Sequence, residues 1–214
     1  MNNVIKLTKC YIQTMMTIKK QVLLVVFASL ILAVSSEAGI LYGSILAVAI
    51  LVNQSLSYED ISGVDFLVAT LPVRKSEYVL SRYMGALIVL ILSIIVLTTS
   101  YLVSILANSH MPIIGYGYFF IILITVSTMM ISVLIPINLK WGSQKGRILS
   151  TLMIIVPCIS ALSIIRTIGS NNRFDIFISN ATILILGLLL VNIIILGLSY
   201  FITVKLYENK EVKK

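Results

Sequence analysis

The feature that most constrains this chain is the length of its stretches without charge. Residues 83–139, 148–165 and 176–204 contain no Lys, Arg, Asp or Glu. Runs of that length have no place in a water-soluble core and read as membrane-spanning helices. An ordinary soluble domain carries about 25% charged residues. Here 11% of 214 residues are charged and 59% are hydrophobic, with a mean hydropathy of +1.07. These values exclude a soluble globular enzyme, a disordered chain and a disulfide-stapled secreted domain. No polar stretch exceeds about 30 residues, too short for an independent core. Cys10 and Cys158 lie far apart in unlike contexts and support neither a disulfide nor a metal site.

Six spans are expected, each bounded by charges or turn residues. The first lies between Lys20 and Glu37, and the others cover about 38–57, 84–107, 118–138, 148–165 and 182–204. Crossing about 30 Å of hydrocarbon takes roughly 17 to 25 residues, which the first span meets only just. The fold class is therefore an all-α polytopic membrane protein, a single transmembrane domain over 1–214.

The net charge of +8 sets topology and does not point to nucleic acid. With the N-terminus inside, the inner segments hold Lys6, Lys9, Lys19, Lys20, Arg74, Lys75, Arg82, Lys140, Lys145, Arg147, Lys205, Lys210, Lys213 and Lys214, and the outer ones only Arg166 and Arg173. Basic residues concentrate on the cytoplasmic side, so both termini are expected in the cytoplasm. Ala33-Val34-Ser35 resembles a signal-peptide cleavage site, but the preceding segment is long for such a signal, and removing it would invert the charge bias.

Residues 1–20 are amphipathic at helical spacing, with Val4, Leu7, Tyr11, Met15 and Ile18 on one face and Lys6, Lys9, Gln13 and Lys20 elsewhere. Such a helix lies at the inner interface, its lysines at anionic head groups of the membrane lipid. At the outer side Tyr116, Tyr118, Phe119 and Phe120 fit an aromatic belt. His110 has no ligand companion nearby, and the sequon Asn180-Ala181-Thr182 hugs a membrane edge.

The inner loop over 55–83 is the most charged stretch and longer than a plain turn needs. Ile61, Val64, Val68 and Leu71 recur at helical spacing, so a short amphipathic helix is expected to end before Pro72. The acids Glu59, Asp60 and Asp65 would be repelled by the anionic inner leaflet. An acidic surface helix with an apolar face suits docking onto a soluble cytoplasmic partner. From Ser76 a second helix is expected to feed into the third span.

No ionisable residue lies in the middle of any span, against a carboxylate proton relay and an intramembrane hydrolase. There is no H-E-x-x-H and no G-x-x-x-x-G-K-[ST], so the chain has neither a recognisable metal site nor a device for cradling ATP phosphates. Any work it does draws its energy from another subunit. Uncharged polar side chains remain within the spans, among them Thr98, Thr99, Ser100, Tyr101, Ser104, Thr125, Ser127, Thr128, Ser160 and Ser163. They either bond between helices or line a path for an amphipathic substrate; Thr98, Thr99, Thr125 and Thr128 are the candidate pathway residues. Gly39, Gly43 and Ala47 form a small-residue stripe for close helix packing, inside the bundle or across a dimer. Pro136 and Pro157 are candidate kinks.

Three segments resemble the permeases of type-2 ABC transporters, within them a small six-span branch. Residues 71–83, LPVRKSEYVLSRY, resemble that branch's Leu-Pro-Val-Ser-Arg and Tyr-Val-Leu-Ser-Lys/Arg-Tyr pattern, carried by Leu71, Pro72, Lys75, Tyr78, Arg82 and Tyr83. Arg74 stands where Ser is frequent. Residues 134–148, LIPINLKWGSQKGRI, resemble a Pro-x-x-x-Lys-Phe-Gly-x-x-Lys-x-Arg segment through Lys140, Gly142, Lys145 and Arg147, with Trp141 in place of Phe. The third is Ser199-Tyr200 followed by Lys205-Leu206-Tyr207-Glu208-Asn209-Lys210-Glu211.

The resemblance implies a permease subunit in the bacterial cell membrane. It would pair with a second permease subunit, identical or not, and bind two cytoplasmic ABC ATPase subunits that carry Mg-ATP, with no cofactor of its own. It implies a coupling helix over 58–70, with Tyr58, Glu59, Asp60, Ile61, Val64, Asp65 and Val68 at the ATPase contact. The branch is similar to exporters of amphipathic peptides such as phenol-soluble modulins, and of bacteriocins or drugs. Against transport stands a non-transporting immunity, sensor or assembly protein that binds its partner through the same loop.

Overall fold

The computed structural model describes residues 2–17, 19–35, 37–63, 70, 73–106, 117, 119–142 and 181–208. Among the described residues six helices are formed: α1 (Asn2–Thr17), α2 (Lys19–Ser35), α3 (Glu37–Ile61), α4 (Lys75–Leu106), α5 (Phe119–Gly142) and α6 (Ala181–Glu208). Four of them, α3 to α6, hold stretches long and apolar enough to cross a membrane; α1 and α2 meet at 72° and make a fifth if counted as one broken span. At 1.5 Å per residue the 17 residues of α2 reach only about 26 Å, which is why it falls short of a full span. The expected fifth span at 148–165 lies outside the described residues.

The α1 stripe read from spacing is the face turned inward. Tyr11 is buried and Val4, Leu7 and Met15 are partly so, while Lys6, Lys9 and Gln13 are exposed. Met15 packs against the protein core, so at least this half of the stripe rests on other helices rather than on lipid.

At the heart of the bundle is α3. Ile40, Leu41, Ile45, Val48 and Val52 are at most 1% exposed. Gly43 lets α2 come close: a Cβ there would lie 2.9 Å from the Ser29 carbonyl oxygen and 3.0 Å from its Cα. Ala47 is fully buried and Gly39 is buried, one helical turn to either side of Gly43. Gly43 is thus occupied by a helix of the same chain, which is the intramolecular use of a small-residue stripe.

The ends of the helices differ from expectation in one place that matters. Tyr58, Glu59, Asp60 and Ile61 do not begin a separate coupling helix; they form the last turn of α3. That turn closes with the Ser62 amide donating to the Tyr58 carbonyl at 2.9 Å and the Gly63 amide to the Asp60 carbonyl at 3.2 Å. Gly63 has φ 69°, the left-handed turn-off that glycine makes without strain. Residues 64–69 lie outside the described residues. On the other arm, α4 starts at Lys75, where the Arg74 carbonyl accepts from the Glu77 and Tyr78 amides at 3.0 and 3.2 Å. Glu77 in the first turn complements the positive end of the helix. The helix expected from Ser76 and the third span are one continuous element.

Contacts fix the helix directions. Arg82 meets Glu59 while Gly85 and Ser55 both meet Tyr11, so α3 and α4 are antiparallel. Lys75 reaches Glu208 while Tyr83 reaches Ser199, so α4 and α6 are antiparallel. Thr128 meets Asn192 and Ser132 meets Ser199, so α5 and α6 run parallel. The C-terminal ends of α3, α5 and α6 therefore gather with the N-terminal end of α4.

Candidate functional site

That common end carries the structure's charged and aromatic machinery. Arg82 Nη1 lies 2.9 Å from Glu59 Oε1, with side-chain exposures of 2% and 6%. A guanidinium taken out of water needs its charge and its faces covered. Glu59 supplies the first. The rings of Tyr78 and Tyr11 supply the second, with centroids 4.4 and 5.5 Å from Arg82 Cζ, a cation–π arrangement.

Tyr11 brings α1 into the same knot. Its hydroxyl bonds Ser55 Oγ, and because Ser55 donates its own proton to the Val52 carbonyl at 2.9 Å, Tyr11 is the donor between them. Its ring lies in a notch left by Gly85, where an added Cβ would overlap the ring atoms. Burial pushes the Tyr11 phenol well above its usual pKa, so it stays neutral and a donor.

The first and third resemblance segments pack against each other. Tyr78 and Tyr207 are in ring contact at 5.3 Å, and Lys75 lies over Tyr207 at 6.0 Å. Lys75 Nζ donates to the Glu208 carbonyl at 2.9 Å, a cation at the negative end of α6. Tyr83 Oη bonds Ser199 Oγ at 2.6 Å and Thr203 Oγ1 at 2.9 Å, and its ring meets Tyr200 edge-on. In the second segment, Lys140 lies 4.6 Å above the exposed Trp141 ring. Gly142 has φ 73° and stands against the Asp60 carboxylate, 3.3 Å from where its Cβ would be. Arg74 is exposed. Leu71, Pro72, Lys145 and Arg147 lie outside the described residues.

The coupling residues separate into two kinds. Tyr58, Asp60 and Ile61 are exposed, Ile61 by 80%. Glu59, expected on the same docking face, is a correction: it is 5% exposed and paired with Arg82. On α3 it points at α4, because a helix turns about 100° per residue and only its neighbours face outward. Val64, Asp65 and Val68 lie outside the described residues.

The candidate pathway threonines are occupied. Thr98 donates to the Ile95 carbonyl at 2.7 Å and Thr99 to the Val96 carbonyl at 2.9 Å, both on their own helix. Thr128 donates to Asn192 Oδ1 at 2.8 Å, and Asn192 Nδ2 donates to Thr125 Oγ1 at 3.4 Å. Asn192, which sequence reasoning passed over, ties α6 to α5; its signal is a lone carboxamide inside an aliphatic run, affordable in lipid only when bonded. Beside it, Phe120, Ile121, Ile124, Leu188 and Leu189 line a cavity of about 270 Å³. Among the described residues no three His, Cys, Asp or Glu side chains are grouped to hold a metal.

No curated protein and no solved structure matches the chain. The family model described as ABC-2 family transporter protein matches residues 10–208, a stretch that takes in the first two resemblance segments, the third as far as Glu208, and every contact of the charged end. With several helices fit to cross a membrane and a match over nearly its whole length, the chain is a multi-pass membrane protein that belongs to the ABC-2 transporter family.

Proposed function

We propose that this chain is the permease subunit of an ATP-driven exporter that moves amphipathic peptides or lipophilic compounds out of the cell by alternating access. Family membership already makes it the membrane component of an ABC transporter, which works with an ABC ATPase. In this reading two permease subunits and two ATPases make the transporter, both termini are cytoplasmic, and six spans cross the membrane. The parallel course of α5 and α6 supports the sixfold count. The chain leaves α5 at one end of the bundle and must re-enter α6 at the other, and the apolar run at 148–165 is long enough to return.

The observation that carries the reading is the joint under the α3–α4 loop. Glu59 and Arg82, 2.9 Å apart and buried, tie together the two helices between which the loop emerges. The exposed Tyr58, Asp60 and Ile61 stand at its root. A force applied to such a loop reaches both helices at once. The assignment of the ATPase contact is accordingly narrowed to Tyr58, Asp60, Ile61 and the loop beyond them, with Glu59 as the strut behind it. The resemblance of residues 71–83 to the branch that includes phenol-soluble modulin exporters favours an amphipathic substrate, and the largely apolar lining of the cavity beside Asn192 suits its apolar face.

The test is co-expression of the tagged chain with its ATPase, purification in mild detergent, and ATP hydrolysis with and without an amphipathic helical peptide. A stable complex stimulated by peptide supports the reading. Asp60→Lys combined with Ile61→Asp is expected to release the ATPase while the chain still inserts. A chain that purifies alone overturns the reading and leaves the non-transporting binding protein in its place.

A further inference from the structure

Tyr11 is held in a way that its helix otherwise is not. On α1, Ile5 and Met16 are 61% and 68% exposed, whereas Tyr11 is 1% exposed. Three parts of that one side chain are engaged by two different helices. The hydroxyl donates to Ser55 of α3. One ring face lies 5.5 Å from the Arg82 guanidinium of α4, and the ring edge fills the Gly85 notch of the same helix. Arg82 is itself bound to Glu59 of α3.

Greasy burial alone would be met by any large apolar side chain. A directed hydroxyl, a π face on a cation and a glycine-shaped seat fix both the position and the angle of α1 against the α3–α4 hairpin. Beyond α1 the chain turns by 72° into α2, and Tyr11 fastens α1 to the α3–α4 hairpin near the middle of its length.

We propose that Tyr11 is a positioning residue of energy coupling. Through Ser55, Arg82 and Gly85 it makes α1 move with the loop-bearing ends of α3 and α4 when nucleotide turnover in the ATPase drives them. The inference rests on the assignment of the α3–α4 loop as the ATPase contact.

Cys10, exposed and adjacent in sequence, is a ready label site. The full-length permease in a Cys158→Ser background is co-purified with its ATPase, spin-labelled at Cys10 and placed in lipid nanodiscs. Spectra are recorded without nucleotide and after trapping with ATP and vanadate. The expected result is a restricted label in the parent protein whose spectrum shifts on trapping. In Tyr11→Leu, and from the other side in Gly85→Ala, the label becomes mobile and the shift is lost, while the ATPase remains bound and hydrolyses ATP. Tyr11→Phe, which keeps the ring over Arg82 and in the Gly85 seat but loses the bond to Ser55, is expected to fall between the parent and Tyr11→Leu in both mobility and shift; a Tyr11→Phe label as mobile as that of Tyr11→Leu overturns the part assigned to the ring. Tyr11→Leu alters only α1 and decides the matter even where Gly85→Ala does not accumulate.

A label in Tyr11→Leu that stays restricted and shifts like the parent overturns the proposal. So does a parent label that ignores trapping while the bound ATPase turns over. Failure of the underlying reading looks different: no ATPase co-purifies with the parent protein, and the coupling role falls with it.

Discussion

Glu59 and Arg82 sit 23 positions apart in sequence and 2.9 Å apart in space, each shut away from water. Removing one member of a buried pair strands the other's charge, at about 3–5 kcal/mol. Arg82→Ala and Glu59→Lys are therefore expected to lower thermal stability of the detergent-purified protein by that order. The double variant Glu59→Gln/Arg82→Met, with no charge left to strand, is expected to melt above Arg82→Met alone. The check is a double-mutant cycle of melting temperatures; additive losses would mean that the two side chains do not interact.

At Gly43 the α2 backbone passes too close for a side chain. Gly43→Val is expected to push α2 from α3 and destabilise the protein by about 1–3 kcal/mol, the range for overpacked cores. The same substitution tests the use of the small-residue stripe. It is expected to reduce the yield of folded chain without selectively dissociating permease subunits in size-exclusion chromatography.

Tyr83 bonds two hydroxyls on α6. Tyr83→Phe keeps the ring against Tyr200 and gives up both bonds, so a loss of about 0.5–1.5 kcal/mol is expected. Hydrogen exchange of the last two turns of α6 in Tyr83→Phe is expected to rise relative to the parent, and an unchanged rate would show that the hydroxyl does not hold that end.

Asn192 bonds Thr128 and Thr125. Interhelical bonds of this kind contribute about 0.6–1.7 kcal/mol in membrane proteins. Asn192→Leu is expected to fall at the low end, because the single Thr128 proton then turns to the Thr125 carbonyl of its own helix, 2.9 Å away, and is not orphaned. If the cavity beside it admits substrate, peptide stimulation of ATP hydrolysis changes in Asn192→Leu while basal hydrolysis does not.

The sequence was most readable where physics acts locally. Charge-free length located α3, α4, α5 and α6, and 3.6-residue spacing picked out Val4, Leu7, Tyr11 and Met15 as the inward stripe of α1. It was least readable where a side chain's role depends on a distant neighbour. Glu59 stands between Tyr58 and Asp60, both exposed, and looks like one more solvent-facing acid until Arg82 arrives from the next helix. The four residues expected to open a separate helix continue α3 instead, because nothing before Gly63 interrupts its period. Tyr11 read as one member of an apolar stripe, since neither Ser55 nor Gly85 announces that it will receive a ring. Asn192 was legible in principle, as the carboxamide that breaks an aliphatic run.

The seat of Tyr11 also sets an order of biogenesis. It is assembled from Ser55 on α3 and from Arg82 and Gly85 on α4, residues that leave the ribosome long after Tyr11 itself. The seat is therefore complete only once α3 and α4 have been made and have come together, although α1 precedes both in the chain. Docking of α1 in this seat is open only to a chain whose α3 and α4 are already paired through Glu59 and Arg82.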